Sequence, residues 1–215
     1  VKQIEYTPAR YWDRRYREGR TSGAGSEGDE GAYKADYISR FCKENYVTSV
    51  IDWGCGDGQV LELIRFPKGI SYLGVDVSPT VIARMREKFV SPYSFAVASD
   101  YLREDAKLLN RMQYNTPHTL TGHAVKRSLA LSMDVLFHLP DDADYFAYLD
   151  NLFNSATQFV IIYATNYAEG RTARHVFRRE FTPDIVERFP DWELTTVETP
   201  LREGLASFFV YEKKA

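Results

Sequence analysis

The stretch "SVIDWGCGDGQVLEL", residues 49–63, constrains the fold more than any other part of the chain. An apolar run ends in three glycines at alternate positions, Gly54, Gly56 and Gly58, and apolar residues then resume. Glycine reaches backbone angles that other residues avoid and lets the main chain approach a ligand closely. A strand, a glycine turn and a helix together form a ligand site at the switch point of an open sheet. An acid ending the next strand suits a ribose diol, because a carboxylate can accept two hydroxyl hydrogen bonds. Asp76, near the end of "ISYLGVDV" (70–77), is that acid, about 20 residues beyond the first glycine as nucleoside-binding halves require.

The rest of the chain reads as alternating strands and helices. Residues 1–20 place Tyr11, Trp12, Arg15 and Tyr16 at helical spacing. Gly23, Gly25, Gly28 and Gly31 then break any helix, and a second helix is expected from about Ala32. "YSFAVASD" (93–100), "SLALSMDVL" (128–136) and "QFVIIYATN" (158–166) read as three further buried strands. Ser78 before Pro79, and Asp141 or Asp142, read as helix N-caps. "LREDAKLLNRMQ" (102–113) reads as a helix and "NTPHTLTGH" (115–123) as a loop. Strands apolar throughout, with helices between them, predict a parallel sheet covered on both faces. "DWELTTVET" and "LASFFVYEKK" are separated only by "PLREG", too short for a crossover, so they are expected to pair as an antiparallel hairpin.

The turn also selects its ligand. A dinucleotide loop needs its third glycine at position 59, where this chain has Gln59. Asp52 before the turn and Asp57 within it would repel a pyrophosphate and suit an ammonium or sulfonium. The expected ligand is therefore a cationic nucleoside without phosphate, which S-adenosylmethionine is. The ordered set "VIDWGCGDG", "YLGVDVSP", an acid closing strand three and "LSMDVLFHL" resembles the class I S-adenosylmethionine-dependent methyltransferases over about residues 47–213. The segment "AVKRS" before strand four departs from that family's pattern. The leader, "YWDRRY" followed by "SGAGSEG" and a helix with Lys34, is similar to leaders in a small-molecule and glycan methyltransferase subgroup.

The resemblance implies a Rossmann-like α/β fold: a seven-stranded, mostly parallel sheet with helices on both faces, a C-terminal antiparallel hairpin and an N-terminal helical lid. Residues 1–46 would be the lid segment and 47–215 the cofactor domain. Asp52, Gly54, Cys55, Gly56 and Gly58 would hold the methionine end. Asp76, with Val77 beside it, would bind the ribose. Asp100 would meet the adenine amino group, with Tyr101 near the ring, and Ser132 and Met133 would line the cofactor.

Methyl transfer to a sugar or alcohol needs a base to take the hydroxyl proton. His138, just past strand four, is the candidate; a packed or capping histidine is the alternative. Asp141 and Asp142 read as helix caps, with a metal role the sharper alternative, and no metal is expected. Arg171, Arg174, His175 and Arg178 fall at helical spacing after strand five. They read either as a grip for an anionic substrate group or as a solvated basic face. Tyr11, Trp12 and Tyr33 are expected as an apolar wall around substrate or cofactor, or simply as core. The "SGAGSEGDEG" loop reads as a lid, against the plainer reading of a connecting loop.

Bulk properties narrow the acceptor. Net charge is −3 and no separate basic domain exists to grip a duplex. There is no Pro-Pro pair and no Pro-Cys pair, the marks of nucleobase amino and cytosine C5 methylation. The expected partner is a small molecule or saccharide methylated at oxygen, with no nucleic acid and no membrane. A cofactor-binding regulatory protein and a nucleic-acid methyltransferase are the alternatives. The first 20 residues lack an apolar signal core, so a soluble cytoplasmic protein is the expectation.

Overall fold

A computed structural model describes residues 6–103, 126–199 and 206–214 of the 215-residue chain. Seven strands form one sheet: β1 (Ser49–Trp53), β2 (Ser71–Asp76), β3 (Tyr93–Val97), β4 (Arg127–Met133), β5 (Ala156–Ala164), β8 (Trp192–Glu198) and β9 (Ser207–Lys213). Their spatial order is β3-β2-β1-β4-β5-β9-β8. The four pairs from β3 to β5 are parallel. β9 is antiparallel to both β5 and β8, as the short connection between the last two runs required.

Strand alternation divides the core in two. Val50, Leu129, Leu131, Ile161 and Phe208 point to one face, Ile51, Ala130, Ile162 and Phe209 to the other. The first face is covered by α2 (Gly28–Glu44) and α4 (Pro79–Lys88), through Ile38, Cys42, Ile82 and Met85. The second is covered by α5 (Asp142–Asn154) and α6 (Thr182–Arg188), through Leu149, Leu152 and Ile185. Burial on both faces explains why the central strands are apolar throughout. Among the described residues no helix is long and apolar enough to cross a membrane.

Local rules account for most boundaries. Ser78 caps α4 by accepting from the Val81 N–H at 3.2 Å, with Pro79 in the first turn. Asp141 caps α5, its Oδ1 accepting from Ala143 and Asp144 N–H. The divergent "AVKRS" segment ends in a register lock. Buried Ser128 Oγ accepts from the N–H groups of Thr48 (3.1 Å) and Ser49 (3.0 Å) and lies 2.9 Å from the Ser49 carbonyl. This side chain stitches the start of β4 to the start of β1.

Three expectations are corrected. The second helix starts at Gly28, not near Ala32, so Gly28 and Gly31 lie inside it. Gly31 is tolerated because a Cβ there would collide with the Ser26 carbonyl; the position needs a residue without one. Strand three ends at Val97, and Asp100 lies in a helical stretch over 98–103 rather than at the strand tip. The arginine cluster is no helix. β6 (Gly170–Ala173) and β7 (Val176–Arg178) form a separate two-stranded antiparallel hairpin. The charges repeat at helical spacing, but no apolar stripe accompanies them to bury, and helices are held by such stripes. The helix and loop expected over 104–123 lie outside the described residues.

Replacing Ser128 by Ala removes the shared acceptor of two backbone N–H groups. Unfolding free energy, measured by urea titration, should fall by about 1–3 kcal/mol.

Candidate functional site

Between β2 and β4, the strand order places the tips of β1, β2 and β4 around a crevice. A cavity of about 620 Å³ opens there. The glycine turn forms one wall, with Gly54, Gly56 and Gly58 all at positive φ (83°, 57° and 74°). Gly54 and Cys55 donate backbone N–H bonds to the Val75 carbonyl, at 2.7 and 3.2 Å, which ties the turn to β2. A Cβ at Gly54 would strike Val135 and one at Gly58 would strike Met85. Here the glycines serve tight packing as much as ligand approach.

Two buried carboxylates face this turn. Asp76 Oδ2 accepts from the Gly56 N–H at 3.1 Å, and its Oδ1 from the Ser78 N–H at 2.8 Å. Burial raises its pKa to about 6 despite those donors. Each oxygen keeps a lone pair beyond its backbone bond. Asp52 Oδ2 accepts from the Tyr72 hydroxyl at 2.7 Å, while its Oδ1 is buried without a hydrogen-bond partner among the described residues. Burial raises the Asp52 pKa to about 7, partly offset by the Tyr72 bond. A buried carboxylate oxygen with no donor is a place for a ligand's positive group. The donor set therefore fits a cationic nucleoside.

The leader closes the cavity from the other side. Ser22 N–H and Ser22 Oγ each lie 2.9 Å from the Asp57 carboxylate, and the Asp57 N–H donates to Ser22 Oγ at 3.2 Å. The negative charge expected in the turn is thus bound by the chain itself. Residues Ser22 to Ser26 line the cavity. Deeper in, Lys34 on α2 is 1% exposed and forms an ion pair with Asp134 at the end of β4. Its ammonium also lies 4.8 Å from the Tyr163 ring centre. A Cβ on Gly25 would come within 3.1 Å of Asp134 and 3.6 Å of Lys34, so the leader turn rests directly on this pair. Burial raises the Asp134 pKa and the Lys34 ammonium opposes the rise.

His138 lines the same cavity. Its Nδ1 is 2.7 Å from the His175 carbonyl oxygen, which can only accept, so Nδ1 carries the proton and Nε2 is the basic nitrogen. Burial lowers its pKa to about 4, with the carbonyl bond opposing. The imidazole meets the Trp12 indole edge to face at 5.0 Å.

The structure brings Asp52, Gly54, Cys55, Gly56, Asp76, Val77, Met133 and His138 together around the cavity. Burial raises the Cys55 thiol well above its ordinary pKa, which disfavours a nucleophilic thiolate. Gly58 stands behind the wall, at the N-cap of α3 (Gln59–Leu63). Other expected residues lie elsewhere. Asp100 pairs with Arg103 on an exposed face, because its strand ends three residues too early to carry it to the cavity. Tyr101 packs its ring on Trp53. Ser132 is buried beneath the Tyr148 hydroxyl, 2.8 Å away. Tyr33 packs on Phe208, in the core. Tyr11 stacks on His175 at 4.6 Å, outside the lining. Arg171, Arg174, His175 and Arg178 ride on the hairpin, and none lines the cavity; Arg178 pairs with Glu169 at 2.8 Å.

Lys34, Asp134, Ser22 and Tyr148 were not picked out as site residues. For Lys34 the signal was present: it shares the buried stripe of α2 with Ala35, Tyr37, Ile38 and Cys42. Asp134 directly follows Met133, at the end of the strand already read as lining the cofactor. Replacing Asp57 by Ala should release the leader. Amide hydrogen exchange over residues 22–27 should accelerate about tenfold or more, while the β-sheet core keeps its protection.

A family model described as a methyltransferase domain matches residues 27–209. No curated protein matches the chain. Solved structures match its fold. Magnesium protoporphyrin IX methyltransferase from Synechocystis PCC 6803, with S-adenosylhomocysteine bound, has a TM-score of 0.63 at 15% identity, covering 96% of this chain and 98% of its own. The 1,6-didemethyltoxoflavin-N1-methyltransferase of Burkholderia thailandensis has a TM-score of 0.61 at 16% identity, covering 100% and 94%. The N-methyltransferase NodS from Bradyrhizobium japonicum WM9 has a TM-score of 0.57 at 17% identity, covering 86% and 96%. With the strand order, the glycine turn and the family match in agreement, the chain belongs to the methyltransferase-domain family, with the class I S-adenosylmethionine-dependent fold.

Proposed function

We propose that this methyltransferase transfers the methyl group of S-adenosylmethionine to a hydroxyl oxygen of a small molecule or saccharide, with His138 receiving the proton. The observation that carries the reading is the fixed tautomer of His138 inside the cavity, with Nδ1 tied to a carbonyl and Nε2 basic. The cofactor supplies an activated sulfonium methyl. The chain supplies alignment, a dry wall and a proton acceptor.

In this reading Asp52 Oδ1 meets the ammonium of the methionine end. Asp76 accepts the ribose hydroxyls through the lone pairs its backbone donors leave free. Val77 and Met133 pack against the cofactor. The leader serves as a lid, supported by the Ser22 to Ser26 lining and its bonds to Asp57. A lid segment over 1–46 on a cofactor domain over 47–215 belongs to the same proposal, as does a cytoplasmic setting that keeps Cys42 and Cys55 reduced. The arginines outside the cavity lend no support to an anionic group held within it.

Asp52 gives a pH test. Its pKa is raised in the fold, so the ionised form is the one the fold disfavours, and Asp52's contribution to stability declines as pH rises from about 4 to about 7. A ligand cation meets only that ionised form. Calorimetry with S-adenosylhomocysteine should show affinity falling about tenfold per pH unit below about 7. In Asp52→Asn this dependence should vanish between about pH 6 and 7, affinity should be lower than wild type above about pH 7 and converge with it as pH falls, and melting at pH 8 should rise.

His138→Ala should lower turnover by about 10²–10⁴-fold. S-adenosylhomocysteine affinity should stay within about twofold, since His138 is given no role in holding the cofactor. With the His138 pKa near 4, wild-type turnover at saturating cofactor should not fall through pH 6.5 as it would for an ordinary histidine. A loss below tenfold in the variant would return His138 to a packing role.

A further inference from the structure

Beyond the glycine turn, the cavity continues into a room walled by Pro8 and Trp12 of α1 (Pro8–Arg17), by Phe137, His138 and Leu139 after β4, and by Ala147 on α5. Its character is apolar and aromatic. Trp12 and His138 meet at 75°, forming a corner of two ring planes rather than a flat wall. The corner is braced from behind. His175 stacks on His138 at 5.4 Å and Tyr11 stacks on His175 at 4.6 Å. The Tyr6 hydroxyl donates to the His138 carbonyl at 3.1 Å. A corner of this kind accepts a planar ring, one side stacking and the other meeting its edge.

The charges of the lining decide what such a ring can carry. Among the described residues that line the cavity, Lys34 is the one lysine or arginine, and Asp134 already neutralises it. The carboxylates are Asp52, Asp57, Asp76, Asp134 and Asp144. The first three belong to the glycine turn and its neighbour strand; Asp144, exposed on the first turn of α5, faces the room. Among the described lining residues an anionic acceptor would find no unpaired lysine or arginine and would meet the Asp144 carboxylate. Of the nearby arginines, Arg179 binds Asp142 at 2.8 Å and the Leu139 carbonyl at 3.0 Å and Arg178 binds Glu169, while Arg15, outside the lining, lies 5.7 Å from the Trp12 ring centre and donates to the Thr21 carbonyl. A saccharide would need donors and acceptors around most of its hydroxyls, where this room offers mainly rings and aliphatic carbon, with Thr7, Asp144 and Asn151 the polar side chains on the same side of the lining.

We propose that the acceptor is an aryl hydroxyl compound, uncharged or cationic, whose ring packs in the Trp12–His138 corner. This rests on the reading of the cavity as a methyltransferase site. The phenol's ring places its hydroxyl within the same enclosure as the imidazole, and a positive substituent finds Asp144. The transfer balances simply: the oxygen–methyl bond forms as the sulfonium–methyl bond breaks, and the phenol proton passes to a base.

The test is binding to the full chain saturated with S-adenosylhomocysteine, followed by calorimetry at constant ionic strength. The probes are catechol, tyramine, 4-hydroxybenzoate, methyl glucoside and glucose 6-phosphate. Catechol and tyramine should bind at least about tenfold more tightly than 4-hydroxybenzoate and both sugars, a gap of about 1.4 kcal/mol. Asp144→Asn, a surface change, should weaken tyramine by about threefold and leave catechol unchanged, the size expected of an exposed charge pair. Phe137→Ala should weaken both aryl probes. Equal or tighter binding of 4-hydroxybenzoate or of either sugar would overturn the proposal, and so would no aryl binding at millimolar concentration. If S-adenosylhomocysteine itself fails to bind, the cofactor reading falls with it; if it binds while the aryl probes do not, only the acceptor class falls.

Discussion

Asp52 and Asp76 are buried at the tips of neighbouring strands, where Asp76 adds to the burial that disfavours the charge of Asp52 and Asp57 adds to that of Asp76. The free energy of holding two carboxylates out of water sets much of what surrounds them. Backbone N–H groups of Gly56 and Ser78 are turned inward to Asp76, and Tyr72 reaches Asp52 from within β2. These donors offset only part of the cost, since both groups stay above their ordinary pKa. A fold selected for stability alone would place apolar residues at these tips. The residual imbalance is what a cationic nucleoside would relieve, so the part of the sheet that is least comfortable alone is the part suited to a ligand.

The leader follows the same logic at two further acids. Asp57 is answered by Ser22 and Asp134 by Lys34, both from outside the strand-turn-helix unit. The cavity thus separates its carboxylates into those the chain satisfies and those it leaves for a partner. Residues 8–44 also contribute to the core itself, since Tyr16, Ile38 and Cys42 pack into the same cluster as Val50 and Leu129.

Much of the sheet was legible because its signals are local and redundant. Period-free apolar runs, an N-capping Ser78 and a connection too short for a crossover each state one element. The glycine turn and Asp76 were legible for the same reason: spacing and charge identify them without distant partners. The failures were non-local. The arginines after β5 keep helical spacing by coincidence, and only the lack of an apolar stripe among them warns of a hairpin. Asp100 was assigned to a strand tip that the backbone leaves three residues earlier. Lys34 and Asp134 stand 100 positions apart in sequence, and nothing in either neighbourhood announces the other. His138 was visible as a residue near the chemistry; its tautomer depends on a carbonyl 37 positions away.

A side chain on Gly25 would press on the Asp134 carboxylate, with its Cβ at 3.1 Å, and touch Lys34 at 3.6 Å. The leader turn, a helix residue and a strand tip therefore form one three-part joint, made from segments that enter the sheet at different times along the chain. Such a joint resists exchange of parts. A leader grafted from another methyltransferase would have to bring a serine for Asp57, a glycine for the ion pair and a lysine at the matching turn of α2. Otherwise it would set a side chain against a buried charge. In recombination experiments a crossover anywhere between α2 and Asp134 thus parts Lys34 from its acid, and one before Asp57 also parts Ser22 from its own, so the leader, α2 and both acids exchange cleanly only as one set.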